Sequence, residues 1–276
     1  MTVETPSTLA RTARARRYLM CRPSHFDVRY EINAWMHAGV RVDTALAMRQ
    51  WEDLRAAYLR LGHTVEVIDG ASGQPDMVFA ANAGTVINGR VVVAKFLNAQ
   101  RTGEEEPYRG WFAEHFRTVI TPDFVNEGEG DYLWTGSVVL AGSGFRTDRR
   151  AHDELAAALG ITVVPLELVS PFFYHLDTAL TILADDHIAY LPEAFSPASQ
   201  QLLRTMFPDA ILASEGDARW FGLNASSDGR HVVVAAQAEG LHRQLDRAGY
   251  VPVPVDVSEF RKSGGGIKCC TLELRG

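Results

Sequence analysis

Five times along this chain an amphipathic helical pattern is followed within a few residues by a short strand-like run. The helical segments are 44–62, 107–117, 149–160, 196–208 and 239–249. The first carries Leu46, Trp51, Leu54, Tyr58 and Leu61 at helical spacing. Ser196-Pro197 opens the fourth as an N-cap with proline at the first helical position. Gly62, Gly160 and Gly249 stand where the first, third and fifth should end, because glycine readily takes the left-handed turn there. The strand-like runs that follow are 64–68, 118–120, 162–166, 210–213 and 251–255. Strand pairs precede the helices: 85–87 turns at Asn88-Gly89 into 91–93, the strongest short hairpin signal present. A second pair is 178–183 with 187–191, and a third is 220–223 with 231–234.

The helix ends fall about 40 to 55 residues apart, a period at which structural repeats are to be sought. The order of elements repeats although the residues do not. It predicts an α/β fold of five strand–strand–helix–strand modules, with the fifth split between the chain ends. The run 18–22 would then pair with 271–274 and close a ring; an ordinary open α/β sheet is the alternative. No proline- or glycine-rich linker divides the chain. The expectation is therefore one domain over 15–276, preceded by a flexible extension over 1–14.

Composition narrows the partners. A formal charge of -7 argues against general binding to nucleic acid or an anionic membrane. A small cationic ligand in a local acidic pocket is still allowed. No apolar run reaches the roughly 18 residues that span a bilayer, and the apolar stretch after the arginines of 11–17 is too short for a signal peptide. Three cysteines, Cys21, Cys269 and Cys270, make no disulfide framework and suit a reducing cytoplasm. Neither a Cys-x-x-Cys pair nor a His-x-x-x-His spacing is present, so no metal is expected. A homo-oligomer is compatible with these residues.

Four segments carry chemistry. At the C-terminus, Gly264-Gly265-Gly266-Ile267-Lys268-Cys269-Cys270 precedes an alternating run. Glycines let a ligand or another backbone come close, and a neighbouring cation such as Lys268 favours the thiolate. A reactive thiol aimed from the start of a strand is one reading; a tight structural turn is the other. In 126–131, Asn126-Glu127-Gly128-Glu129-Gly130-Asp131, carboxylates are set between glycines; a solvated acidic loop is the plain alternative. In 171–183, His175 and Asp177 are two apart on an expected strand and would share a face, suiting acid–base work. A satisfied core histidine is the alternative. In 74–85, Asn82 interrupts an apolar run among residues no larger than alanine.

Taken in order, Glu-Gly-x-Gly-Asp, then His-Leu-Asp-Thr, then Gly-Gly-x-x-Cys resembles the guanidino-modifying enzyme superfamily. It holds arginine deiminases, dimethylarginine dimethylaminohydrolases and amidinotransferases. The likeness covers residues 17–276 and implies the five-bladed α/β propeller called a pentein. It implies Cys269 as nucleophile, His175 as general acid and base, and Asp177 as the carboxylate that grips the guanidino nitrogens. It implies a glutamate partner for the histidine, with Glu127 preferred and Glu129 the alternative. Arg146, in Gly-Phe-Arg-Thr-Asp, matches an arginine that binds the substrate α-carboxylate. The Phe-x-x-Asn-Ala-Gly form at Asn82 departs from the aspartate of deiminases and is similar to a subgroup that includes arginine dihydrolases. Asn33 belongs to the same subgroup pattern and is expected to face substrate.

The resemblance implies a small cationic guanidino substrate, arginine or methylarginine, cleaved at a C–N bond through a thiouronium intermediate without metal or organic cofactor. A methylarginine hydrolase would release citrulline and an amine, and Ala80 and Ala81 could make room for N-methyl groups. A dihydrolase would continue to ornithine, carbon dioxide and ammonia, because neutral Asn82 can donate to a ureido oxygen. An amidinotransferase or a non-catalytic binding protein of the same fold are the other readings.

Overall fold

The computed structural model describes residues 11–276. Its strands in chain order are β1 (Arg17–Cys21), β2 (Thr64–Ile68), β3 (Gly84–Ile87), β4 (Arg90–Val93), β5 (Thr118–Ile120), β6 (Tyr132–Trp134), β7 (Val138–Ser143) and β8 (Thr162–Glu167). They continue as β9 (Leu180–Ala184), β10 (His187–Tyr190), β11 (Ile211–Leu212), β12 (Ser226–Ser227), β13 (His231–Ala235), β14 (Val251–Val255) and β15 (Leu272–Glu273). The helices are α1 (Thr44–Arg60), α2 (Glu105–His115), α3 (Arg150–Leu159), α4 (Leu176–Ala179), α5 (Pro197–Met206), α6 (Glu215–Arg219), α7 (Glu239–Arg247) and α8 (Ser258–Arg261).

The strands form five three-stranded sheets, ordered β15–β1–β2, β3–β4–β5, β6–β7–β8, β9–β10–β11 and β12–β13–β14. In each, the first pair is antiparallel and the second parallel. A parallel pair needs a crossover, and α1, α2, α3, α5 and α7 supply the five. The five modules expected from the order of elements are therefore present. The split one is joined as expected: Tyr18 pairs with Glu273 and Leu19 with Leu272.

Local chemistry explains these boundaries. The Asp43 side chain accepts from the Leu46 amide at 2.9 Å and caps α1, a contact worth about 1 kcal/mol. Trp51, Leu54 and Tyr58 are fully buried on the core face of the same helix. Asn88 (φ 52°) and Gly89 (φ 69°) are both left-handed, as a two-residue hairpin turn matched to strand twist requires.

Three expectations need correction. Residues 176–179 are a helical turn, and β9 starts only at Leu180. The Thr178 hydroxyl donates to the His175 carbonyl at 2.7 Å, which favours the turn over a strand. Residues 220–223 are turn, not strand: Trp220 and Phe221 donate back to Asp217 and Ala218, continuing α6. The C-terminal strand is confined to Leu272–Glu273, and Cys269 and Cys270 lie in the turn before it.

Of the expected N-terminal extension, residues 1–10 lie outside the described residues. Arg14 donates its amide to the Asp228 carbonyl at 2.8 Å and pairs with Asp185 at 2.9 Å. No helix among the described residues is long and apolar enough to cross a membrane.

Candidate active site

The C-terminal turn, the His175 turn and the acidic loop converge in the interior. Cys269 is buried, and its Sγ lies 3.2 Å from Asp177 Oδ2, to which the thiol donates. The Cys269 carbonyl accepts from the Ala81 amide at 3.0 Å, joining the thiol turn to the Asn82 segment. Because 176–179 coil, His175 and Asp177 reach the site through a helical turn rather than from one face of a strand. Asp131 holds that turn: its carboxylate accepts from the Leu176 amide at 3.1 Å and the Thr147 hydroxyl at 2.7 Å.

His175 Nε2 is 2.7 Å from Glu127 Oε2. The same carboxylate accepts from Arg146 Nη1 at 2.8 Å. The glycines of this loop are sterically required. A Cβ on Gly130 would stand 2.3 Å from Asn82 Nδ2 and 3.3 Å from the His175 ring. One on Gly128 would stand 2.6 Å from the Gly84 backbone.

Glu127 and Glu129 have separate surroundings. Glu129 points to the C-terminal segment, where Lys268 Nζ donates at 2.5 Å and Arg275 forms a further ion pair. It also accepts from the Glu273 amide at 3.1 Å. Lys268 is thus engaged by Glu129 and the Thr271 carbonyl, not by the thiol, contrary to its expected role.

The electrostatics follow from these contacts. Burial, then the charge of Asp177, pushes the Cys269 thiol well above the usual range. Burial raises Asp177 to about 6, although His175 and the thiol hydrogen bond oppose the rise. Burial also acts against charge on Glu127, yet Arg146, the His175 hydrogen bond and Arg101 together hold its carboxyl far below the usual range. His175 Nδ1 and Asp177 Oδ1 are buried without a hydrogen-bond partner among the described residues. A cation with N–H groups would satisfy the free carboxylate oxygen, and a free imidazole nitrogen can move a proton.

Asn82 is buried; its Oδ1 accepts from Arg101 Nη1 at 2.9 Å and its Nδ2 donates to the Glu127 carbonyl at 3.3 Å. Arg146 also donates to the Ile32 carbonyl at 2.9 Å. Asn33 Nδ2 donates to the Ser263 carbonyl at 3.1 Å, and its Oδ1 accepts from the Trp35 amide at 2.9 Å. Its amide therefore straps the long segment 22–43 across this region. Ala80 packs in an apolar cluster with Leu19, Cys21 and Met77.

Arg101, Asp76 and Asn224 belong to this cluster and were not foreseen. Arg101 pairs with Glu104 at 2.8 Å through two nitrogens and reaches to 3.9 Å from Glu127. Asp76 accepts from Tyr30 at 2.8 Å and Ser263 at 2.7 Å. A charge inside the apolar run 75–81 was the available signal for Asp76. Arg101 sits in a polar stretch that reads as solvated loop.

The sequence profile described as "N,N dimethylarginine dimethylhydrolase, eukaryotic" matches residues 22–276. The chain belongs to this family. It is 52% identical over 268 residues to an N(G),N(G)-dimethylarginine dimethylaminohydrolase of Mycobacterium tuberculosis, covering 97% of this chain and 89% of that one. It is 36% identical to the bifunctional arginine dihydrolase/ornithine cyclodeaminase ArgZ of Synechocystis, over 94% of this chain but 37% of that protein. The crystal structure of the N-terminal domain of ArgZ, a cysteine-to-serine mutant bound to substrate, superposes with a TM-score of 0.91 at 35% identity, over 94% of this chain and 98% of that one. The mixed α/β fold is thus that of these enzymes.

Proposed function

We propose that this chain is a hydrolase that cleaves the guanidino C–N bond of Nω-methylated arginine, giving citrulline and an amine. The observation that carries the reading is the pairing of Cys269 Sγ with Asp177 beside a His175–Glu127 couple, with Asp177 Oδ1 and His175 Nδ1 left free. The choice of methylarginine follows the 52% identical relative.

In this mechanism Asp177 Oδ1 receives guanidinium N–H groups. The substrate cation offsets the Asp177 charge beside Sγ and so favours the thiolate that burial alone suppresses. The thiol proton passes to His175 Nδ1, the sulfur bonds to the guanidino carbon, and the C–N bond to the leaving amine breaks. His175 protonates that amine through Nδ1 while Glu127 holds Nε2. An S-alkylthiouronium remains. His175 then takes a proton from water, whose oxygen bonds to the carbon as the C–S bond breaks. The ureido product leaves and Cys269 is restored. Arg101 and Arg146 offer donors for the substrate α-carboxylate, and Asp76 an acceptor for its ammonium group. The mechanism uses neither metal nor organic cofactor.

A dihydrolase reading is favoured by one feature, the buried Asn82. With Oδ1 held by Arg101, its remaining N–H is available to a ureido oxygen, which would retain citrulline for a second hydrolysis. An amidinotransferase would need an amine acceptor. Incubation with asymmetric dimethylarginine, arginine and citrulline, with products identified by mass, separates these outcomes. Dimethylamine and citrulline from dimethylarginine support the main reading; ornithine from arginine supports the second. No product from either substrate would reject both.

We also infer that the five sheets are blades of a closed five-bladed propeller. A cavity of about 630 Å³ is lined by residues of β3, β6, β9, β12 and β15, with Arg17 of β1 and Thr64 of β2, so that every sheet contributes, which supports a ring. The unit is a single catalytic domain over 15–276, placed in the cytoplasm, with a homo-oligomer compatible with it.

A further inference from the structure

Asn224 is fully buried and lies in the turn between α6 and β12. Its amide makes three contacts with the reacting centre. Nδ2 donates to Cys269 Sγ at 3.1 Å and to the Asp177 carbonyl at 3.0 Å, and Oδ1 accepts from the Cys269 amide at 3.1 Å. These contacts agree on which end of the amide is oxygen, since the sulfur and a carbonyl need donors and an N–H needs an acceptor. The Asn224 carbonyl also accepts from the Lys268 amide at 3.2 Å.

The approach to Asn224 carries backbone strain. Phe221 is a buried non-glycine residue at φ 58°, and its carbonyl accepts from the Asn224 amide at 3.0 Å. Such residues are uncommon in the left-handed region and cluster at functional sites. The opposing wall is fitted to the amide: a Cβ on Gly266 would stand 2.8 Å from Asn224 Oδ1.

We propose that Asn224 is a catalytic residue that holds the Cys269 thiolate through Nδ2 while Oδ1 fixes the backbone of the nucleophile turn. The inference rests on the Cys269 reading of the site. The other groups around the sulfur explain why it is needed. Asp177 is an acceptor that repels a thiolate, Cys270 is a second buried thiol, and the Tyr174 hydroxyl donates to the Gly264 carbonyl rather than to sulfur. Lys268 is held by Glu129, and His175 by Glu127. Beside the backbone hydrogen bond from Gly266, Nδ2 is the neutral side-chain donor that remains on sulfur after the thiol proton leaves.

The test compares Asn224→Asp, Asn224→Ala and Gly266→Ala with the unaltered protein and Cys269→Ser. The aspartate is isosteric and replaces the donor with an acceptor; the glycine variant displaces the amide without removing it. Thiolate formation is titrated as the pH dependence of Cys269 alkylation by 2-chloroacetamidine, a cation that offsets the Asp177 charge, with Cys269→Ser as the blank, and kcat and KM for dimethylarginine are measured. Circular dichroism identifies the folded variants. The expected result is an upward move of the Cys269 titration of about one pH unit or more, with kcat down roughly 30-fold or more and KM within about threefold. Asn224→Asp should move it furthest. A folded variant with an unmoved titration overturns the inference even where kcat falls, because packing alone would do that. Should Asn224→Ala fail to fold, the isosteric aspartate decides. Full activity in Cys269→Ser would instead reject the underlying reading of the nucleophile.

Discussion

Glu127 Oε2 and His175 Nε2 meet at 2.7 Å with both side chains buried, and this contact fixes which imidazole nitrogen is free for chemistry. Replacing Glu127 with Gln keeps the shape but removes the charge that orients the ring and balances Arg146. The expected outcome is a fall in kcat of roughly 100-fold, with folding retained. Steady-state kinetics and circular dichroism check it.

Glu129 should behave differently. It joins Lys268 and Arg275 to the acidic loop, so Glu129→Gln leaves two cations without their buried partner. Breaking such a cluster costs about 3–5 kcal/mol. Denaturant unfolding should show that loss, while KM for substrate changes little. A stability loss from Glu127→Gln larger than that from Glu129→Gln would contradict the division of labour.

The pH response follows from Asp177, whose buried carboxyl is raised to about 6. It must be ionised to hold a guanidinium, so kcat/KM should rise as pH increases through about 6. The stability effect has the opposite sign. Between the ordinary carboxyl value and about 6 the folded protein binds the extra proton, so this group's contribution to stability falls as pH rises across that window. Asp177→Asn should remove that pH-dependent loss while abolishing most activity; thermal unfolding at several pH values measures it.

Gly130→Ala would drive a methyl group to 2.3 Å from Asn82 Nδ2. The backbone must shift, at a cost of about 1–3 kcal/mol, and His175 moves with it. Both the unfolding midpoint and kcat should drop.

Asn82→Asp tests product choice. An aspartate can still accept from Arg101 but cannot donate to a ureido oxygen. If unaltered protein forms ornithine from arginine, the variant should stop at citrulline, as read by mass; continued ornithine formation refutes the argument.

Most of the fold was legible because helix periodicity, Asn88-Gly89 and the glycine stops are local signals. The strands 64–68, 118–120 and 251–255 came out at their expected limits. The turn at Leu176–Ala179 was not legible, because the apolar run into β9 masks a helical turn held by the distant Asp131 carboxylate. The site was legible where residues cluster in sequence, as at Glu127 and at His175 with Asp177. Lys268 was misread because its partner, Glu129, lies 139 residues away. Asn224 and Arg101 escaped for the same reason: their importance comes only from what the fold brings to them.

The most direct measurement is turnover of asymmetric dimethylarginine by the unaltered protein and by Cys269→Ser, with quenched reactions examined by protein mass. The unaltered protein should release dimethylamine and show an adduct on the peptide that carries Cys269, and Cys269→Ser should show neither. Undiminished dimethylamine release by Cys269→Ser would contradict the assignment of Cys269 as the nucleophile.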